Sequence, residues 1–186
     1  MADVMRVIIV DDESLVRAAL RVFLESADGF ELVGEADNGA DAVTLVRAVK
    51  PDVVLMDVQM PTMDGIEATR RLTQEFPGIK VVALTTFSAE RVIVPMLSAG
   101  ASGYLVKDTS PDRILDAARL AHEGGYVLSP RVAKELISSV QTGDAGTPRS
   151  LGRDEELTDR ELEVVTLLAQ GMSNAEIAAA MFVSEA

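Results

Sequence analysis

Five short apolar runs recur along residues 5–123, separated by longer stretches whose apolar residues are spaced three or four positions apart. Runs of this length predict strands, and those without alternation predict strands covered on both faces. The longer stretches have the spacing of amphipathic helices. The predicted strands are Arg6–Val10, Glu31–Glu35, Val53–Met56, Val81–Leu84 and Gly103–Val106. The alternation predicts an α/β domain with five strands, five helices, a parallel sheet and right-handed crossovers.

The spacing also predicts a buried face for three of the helices. These faces are Leu15, Ala19, Val22 and Phe23 in the first helix, Leu45, Val46 and Val49 in the second, and Ile114, Leu115, Ala118 and Ala121 in the fifth. The fourth helix, within Glu90–Gly100, has Pro95 in its middle. Because proline removes a helix hydrogen bond and disfavours helical geometry in the preceding residue, we expect a helix that is broken or begins at Pro95. Residues 92–94 would then be partly irregular.

The composition of the chain changes after residue 125. Pro130–Val140 predicts a further short helix, and Gln141–Glu156, with three glycines and one proline, predicts a linker. Leu157–Ala186 contains two capping boxes, which predict two short helices. We therefore expect a domain at residues 1–125, a short helix and linker at 126–156, and a separate helical unit at 157–186. Spacing alone favours a plain helical hairpin for this last unit.

Composition narrows the classes of function. The 186 residues include no cysteine and a single histidine, which excludes disulfides, zinc–thiolate sites, thiol catalysis and multi-histidine metal sites. No apolar run approaches the roughly 18 residues of a membrane span, and no secretory pattern is present, so we expect a cytoplasmic protein. Seventeen basic and 30 acidic residues give a net charge of −13, which argues against nucleic-acid binding by these residues alone.

Polar side chains stand at the ends of four predicted strands. Asp11 and Asp12 follow the first strand, and Asp57, Thr85 and Lys107 end the third, fourth and fifth. Because the carboxyl ends of parallel strands meet at one edge of the sheet, we expect these side chains to converge there. Crowded carboxylates need a cation, and oxygen ligands suit Mg²⁺ with several retained waters.

A lysine and a hydroxyl beside such a cation can bind phosphoryl oxygens, so the arrangement suits phosphoryl transfer to a carboxylate. An Asp-Asp pair after a strand is also explained by a helix N-terminus that favours negative charge. The coincidence of four strand ends, each with a suitable side chain, favours the phosphoryl-transfer interpretation.

Four segments closely resemble the receiver domain of two-component response regulators. They are Val10–Glu13, Met56–Gly65, Ala83–Thr86 and Gly100–Asp108, and the resemblance covers about residues 5–123. It implies a flavodoxin-like sheet of five parallel strands in the order 2-1-3-4-5.

The resemblance also implies roles for individual acidic residues. Asp57 would be the phospho-acceptor. Asp12 and Asp57 would hold Mg²⁺ together with the backbone carbonyl of Gln59, and Asp11 would act mostly through a metal-bound water.

Three further roles concern the phosphoryl group and the response to it. By the same resemblance, Lys107 would bridge Asp57 and the phosphoryl group, and Thr85 would hydrogen-bond that group once it has formed. Tyr104 matches the aromatic switch position, and a half-buried core tyrosine is the alternative interpretation. Pro95 departs from the family pattern in a helix that belongs to the family's moving face.

The C-terminal unit resembles the start of a LuxR-type helix-turn-helix, the DNA-binding unit of NarL/FixJ response regulators. The resemblance covers Leu157–Ala178, and in that family the following helix enters the major groove. That helix is absent here, and residues 157–186 carry five acids and one arginine. We expect a unit cut before its recognition helix, or one whose tail is missing from the sequence, so that promoter DNA is a partner of the full-length protein only.

The resemblance thus implies a phospho-switched transcription regulator with a sensor histidine kinase as partner, which forms a homodimer on phosphorylation. It would be no enzyme beyond catalysing its own phosphorylation and dephosphorylation. An aspartyl phosphatase of the haloacid-dehalogenase type is one alternative, but it needs a second aspartate where Gln59 stands. A phosphorelay or protein-interaction module without DNA output is the other.

Overall fold

Strands and helices alternate along the part of the chain that the computed structural model describes, residues 4–86 and 90–142. The strands are β1 (Met5–Val10), β2 (Phe30–Ala36), β3 (Val53–Asp57), β4 (Lys80–Thr85), β5 (Gly103–Val106) and β6 (Val127–Leu128). The helices are α1 (Ser14–Ser26), α2 (Gly39–Val49), α3 (Gly65–Glu75), α4 (Glu90–Ser98), α5 (Pro111–His122) and α6 (Pro130–Thr142). The five predicted strands are confirmed to within one residue at each end. The chain divides into two compact units, Met1–Val127 and Leu128–Ala186.

The sheet has the order β2-β1-β3-β4-β5-β6, and its first five strands pair in parallel. The predicted parallel sheet of five strands in the order 2-1-3-4-5 is confirmed, and a sixth strand that was not predicted extends it. The sixth is a two-residue strand that adds to the β5 edge, where the Val127 amide donates to the Ser102 carbonyl 3.1 Å away. Two residues are too few for a periodicity to reveal, which explains why the pattern did not predict it.

Alternation along the strands divides the buried apolar residues between two layers of helix. Met5, Val7 and Ile9 of β1 belong to one core cluster, together with residues of α1 and α5. Because successive side chains of a strand point to opposite faces, Ile8 and Val10 face the layer that contains α2, α3 and α4. All five residues of β3 are buried, as expected for a central strand covered on both sides.

The predicted buried face of α1 is wrong for three of its four residues, since only Phe23 packs against the core. Leu15 and Val22 are 81% and 61% exposed, and Ala19 is exposed as well. The residues that pack against the core are Val16, Leu20, Phe23 and Leu24. The helix carries apolar residues around most of its circumference, so its spacing fits two stripes equally well, and only the position of the sheet selects one. The predicted face of α5 is confirmed, because all four of its residues are buried.

The predicted break at Pro95 is also wrong. Helix α4 runs continuously from Glu90 to Ser98, and the Ala99 amide still donates to the Pro95 carbonyl at 2.9 Å. Pro95 is the sixth of the nine residues, and its missing N–H removes only one backbone hydrogen bond of the helix. The burial of Ile93 and Met96 on both sides of it keeps the chain on a helical path.

The short helix predicted after the receiver-like region is confirmed as α6, which extends through Thr142 into the predicted linker. The rest of that linker and the helical unit predicted at 157–186 lie outside the described residues. Among the described residues, no helix has the length and apolar character needed to cross a membrane.

The two apolar stripes of α1 predict different costs of substitution. We expect Leu20→Ala to lower the free energy of unfolding by about 2–5 kcal/mol, because it leaves a cavity in the core. Leu15→Ala should change it by less than about 0.5 kcal/mol, because Leu15 is exposed. Urea denaturation of the two variants beside the wild type measures both values. Equal losses in the two variants would contradict this orientation of the helix.

Candidate functional site

Three carboxylates and one ammonium meet at the carboxyl edge of the sheet. Asp11, Asp12 and Asp57 each offer a carboxylate oxygen, and these oxygens all lie within 4.8 Å of one another. The Nζ atom of Lys107 lies 2.7 Å from Asp11 Oδ2 and 3.3 Å from Asp57 Oδ2. The structure therefore brings together four of the side chains that strand order alone had placed at one edge.

Backbone contacts hold the two buried carboxylates in place. The Asp11 amide donates to the Ala36 carbonyl of β2 at 3.1 Å, and Asp11 Oδ1 accepts from the Glu13 amide at 2.9 Å. Asp57 Oδ1 accepts from the Val58 amide at 2.8 Å. Asp11 and Asp57 are 1% and 5% exposed, whereas Asp12 is exposed. The inner side of the cluster, formed by Asp11 and Asp57, is thus shielded from solvent, and the outer side at Asp12 is open to it.

Thr85 ends β4, Tyr104 lies on the adjacent strand β5, and Lys107 directly follows β5. The Lys107 amide donates to the Thr85 carbonyl at 2.6 Å, which ties the ends of the two strands together. Thr85 is 3% exposed at the end of β4. The side chain of Tyr104 is fully buried, rather than half-buried as its core interpretation would have it.

Gln59 lies on the loop that follows β3 and is exposed. Together with Asp12, Met60 and Pro61, it lines an open cleft of about 430 Å³. The cleft gives solvent and small molecules a route to the outer side of the carboxylate cluster.

A close approach of backbone to backbone holds this loop against the start of α3. The Gly65 amide donates to the Val58 carbonyl at 3.0 Å, and a Cβ atom at residue 65 would overlap the backbone carbonyl oxygen of Asp57. Only glycine fits so close to another chain segment. Asp64 then caps α3, since its side chain accepts from the Glu67 amide at 2.8 Å.

The electrostatics of the cluster are dominated by burial and by shared charge. Burial raises the pKa of Asp57 to about 6, and the negative charge of Asp11 adds to this effect, while Lys107 acts against it. Burial acts to lower the pKa of Lys107, but its hydrogen bond to Asp11 and the charge of Asp57 outweigh burial and raise that pKa. One firmly protonated lysine therefore serves two buried carboxylates, and the cluster carries more negative than positive charge.

The donor set of the cluster fits a hard divalent cation. All three candidate ligands are carboxylate oxygens at mutual distances that one ion could span. The exposed side of Asp12 leaves room for water ligands. A bound cation would also relieve the charge excess, since a like charge nearby disfavours ionisation of Asp57 and a positive charge favours it.

Sequence reasoning missed two residues around the cluster. Glu13 places its Oε1 atom 3.4 Å from Lys107 Nζ, so that a third carboxylate approaches this lysine. Arg17 donates from Nη1 to the Asp11 carbonyl at 2.6 Å. Glu13 adjoins the Asp-Asp pair in the sequence, which is a usable signal. Arg17 lies in a helix whose orientation was mispredicted, so its contact with the loop could not be predicted.

The charge excess predicts a stabilising substitution. An acid whose pKa in the fold exceeds its ordinary value of 3.8 binds its proton more tightly when folded, so stability falls as pH rises through about 4–6. Without divalent cations at pH 7.5, we expect Asp57→Asn to raise the free energy of unfolding by about 1–3 kcal/mol. At pH 5 the gain should be roughly half as large.

Urea denaturation in the presence of a chelator at these two pH values measures the effect. A variant that is less stable than the wild type at pH 7.5 would show that ionised Asp57 does not destabilise the fold. A gain in the free energy of unfolding that does not depend on pH would show the same.

Comparison with known proteins identifies families for both parts of the chain. Residues 7–119 match the family described as response regulator receiver domain, and residues 155–186 match bacterial regulatory proteins of the luxR family. The uncharacterized transcriptional regulatory protein YhcZ of Bacillus subtilis is 39% identical over 181 residues, which are 97% of this chain and 83% of that protein. The transcriptional regulatory protein LiaR of Bacillus subtilis is 38% identical over 180 residues, with 96% and 83% covered.

Solved structures give the same result. The response regulator ChrA of a heme-sensing two-component system is 38% identical, with a TM-score of 0.64 over 99% of this chain and 84% of that one. A LuxR-family two-component response regulator from Aurantimonas sp. SI85-9A1 is 31% identical, with a TM-score of 0.70 over 74% of this chain and 98% of that one.

Proposed function

Because the chain belongs to the two-component response regulators, with a receiver domain and a LuxR-type DNA-binding domain, we propose that Asp57 is its phospho-acceptor and that the reaction depends on Mg²⁺. The chain is similar over nearly its whole length to transcriptional regulatory proteins, so its function is transcription regulation in a two-component system. The observation that carries the proposal is the cluster of Asp11, Asp12 and Asp57 around the ammonium of Lys107.

Mg²⁺ would be held by the side chains of Asp12 and Asp57 and by the backbone carbonyl of Gln59, with Asp11 acting through water. When bound, the ion supplies positive charge to the oxygens of a phosphoryl group during transfer. The exposure of Asp12 and the open cleft beside Gln59 support this assignment, because Mg²⁺ usually keeps several waters.

In the proposed transfer, an oxygen of Asp57 forms a bond to phosphorus while the bond from phosphorus to the donor breaks. The donor is a phosphohistidine of a sensor kinase, whose imidazole leaves. Lys107 is 3.3 Å from Asp57 Oδ2 and firmly protonated, so it can hold a phosphoryl oxygen as negative charge spreads over the group. This supports a charge-neutralising role for Lys107.

The response to phosphorylation is proposed to begin at Thr85. Its hydroxyl stands at the next strand end and would hydrogen-bond the phosphoryl group, after which Tyr104 and α4 would change position. Such a change shifts the balance between two conformations, because the phosphoryl group interacts with them differently. Pro95 lies within α4, so its replacement by alanine tests whether it modifies this response.

The proposal assigns a receiver domain to 1–125, a short helix and linker to 126–156, and DNA binding to the unit that begins at 157. Dimerisation on phosphorylation and a cytoplasmic location complete it. The two alternatives are less well supported. A phosphatase of the haloacid-dehalogenase type needs a second aspartate at the position where this chain has Gln59. A module without DNA output does not explain the luxR-family match at 155–186.

Intact mass spectrometry tests the phospho-acceptor directly. After incubation with a small phosphodonor and Mg²⁺, the wild type should gain one phosphoryl group, and Asp57→Asn should gain none because the attacking carboxylate is missing. Asp116→Asn is the matched control, since it removes an exposed carboxylate on α5, and it should gain the group as the wild type does.

Size-exclusion chromatography of the same samples should show a dimer only where the group is present. Phosphorylation of Asp57→Asn to the wild-type extent, or a gain that does not require Mg²⁺, would refute the assignment.

A further inference from the structure

Arg17 lies outside the carboxylate cluster but holds the loop that carries two of its members. From α1, its Nη1 atom donates to the backbone carbonyl of Asp11 at 2.6 Å. On its other side, its Nε atom lies 3.6 Å from Oε2 of Glu35 on β2. The side chains of Arg17 and Glu35 are only 20% and 19% exposed. The guanidinium therefore links the loop to the neighbouring strand through largely buried contacts.

The carbonyl that Arg17 holds belongs to the peptide that joins Asp11 to Asp12. Because the orientation of this peptide sets the direction of the Asp12 side chain, fixing the peptide restricts where the carboxylate of Asp12 can lie. Asp12 is exposed, and it therefore depends on its backbone for its position. Asp11 is held by the Glu13 amide and by Lys107 as well. Loss of the Arg17 contact should thus disturb Asp12 more than Asp11.

We propose that Arg17, held by Glu35, is a positioning residue for the cation site. This inference rests on the proposed binding of Mg²⁺ at the carboxylate cluster. Arg17 would not contact the ion, and it would act by keeping the Asp11–Asp12 peptide in the orientation that lets the carboxylate of Asp12 bind.

The sign of the effect separates positioning from simple electrostatics. Arg17 is positively charged, so its removal should tighten the binding of a cation if charge alone mattered. If Arg17 positions Asp12, its removal should weaken binding, and groups that orient metal ligands typically contribute 10–100-fold in affinity.

Arg21 provides the matched control, because it lies one turn further along α1 and its Nε atom binds the same Glu35 at 2.6 Å. Its replacement removes the same charge without touching the bond between Arg17 and Asp11.

The experiment measures the midpoint of thermal unfolding against Mg²⁺ concentration and derives a dissociation constant for the ion alone. It compares the full chain as wild type, Arg17→Met, Arg17→Lys and Arg21→Met. We expect a dissociation constant at least about tenfold higher in Arg17→Met and a lower one in Arg17→Lys than in Arg17→Met, because lysine can still donate to the carbonyl. Arg21→Met should bind as tightly as the wild type or slightly more tightly.

Wild-type or tighter binding by Arg17→Met would overturn the role of Arg17 while leaving the cation site intact. A wild type whose midpoint does not respond to Mg²⁺ would overturn the cation site and this inference together. If Arg17→Met does not fold, the Nε–H resonance of Arg17 is followed by nuclear magnetic resonance as Mg²⁺ is added to the wild type. A shift that saturates with the dissociation constant of the ion supports the inference, and an unmoved resonance overturns it.

Discussion

An excess of negative charge at the carboxyl edge of the sheet is the constraint on which the rest of the site depends. Three carboxylate oxygens lie within 4.8 Å of one another, and the two buried carboxylates share the one positive charge of Lys107. Water cannot relieve the repulsion at Asp57, which is 5% exposed. The cluster is therefore destabilising by itself, and a bound cation or a proton relieves its repulsion. A switch requires such a dependence on what is bound.

The fold supplies the stability that this cluster removes. Strand β3 is buried along its whole length and ends at Asp57, so this carboxylate extends from a strand that is packed on both faces. Gly65 lets the start of α3 approach the same point, and the Asp11 amide is bound to β2. Sites that hold groups at unfavourable positions need this kind of support from rigid elements. The loops around the cluster are thus restrained by backbone contacts, while Asp12 and Gln59 remain open to solvent.

Most of the fold and the centre of the site could be predicted from the sequence, for one reason. Strands of a parallel sheet are short, apolar and end at a common edge. The apolar run Val53–Met56 therefore predicts a strand, and Asp57 directly after it is predicted to lie at that edge. The buried face of α1 could not be predicted, because Leu15 and Leu20 are equally apolar and only packing distinguishes them. Continuity at Pro95 depended on the burial of Ile93 and Met96. The contact of Arg17 with Asp11 required the correct orientation of α1.

The dependence of stability on Mg²⁺ tests the central claim most directly. The free energy of unfolding is measured by urea denaturation over a range of Mg²⁺ concentrations, for the wild type and for Asp12→Asn, at constant ionic strength. Above its dissociation constant, Mg²⁺ should stabilise the wild type by about 1.4 kcal/mol for each tenfold increase, and Asp12→Asn should need much more of the ion. A wild type that Mg²⁺ stabilises no more than a monovalent salt does would contradict the account.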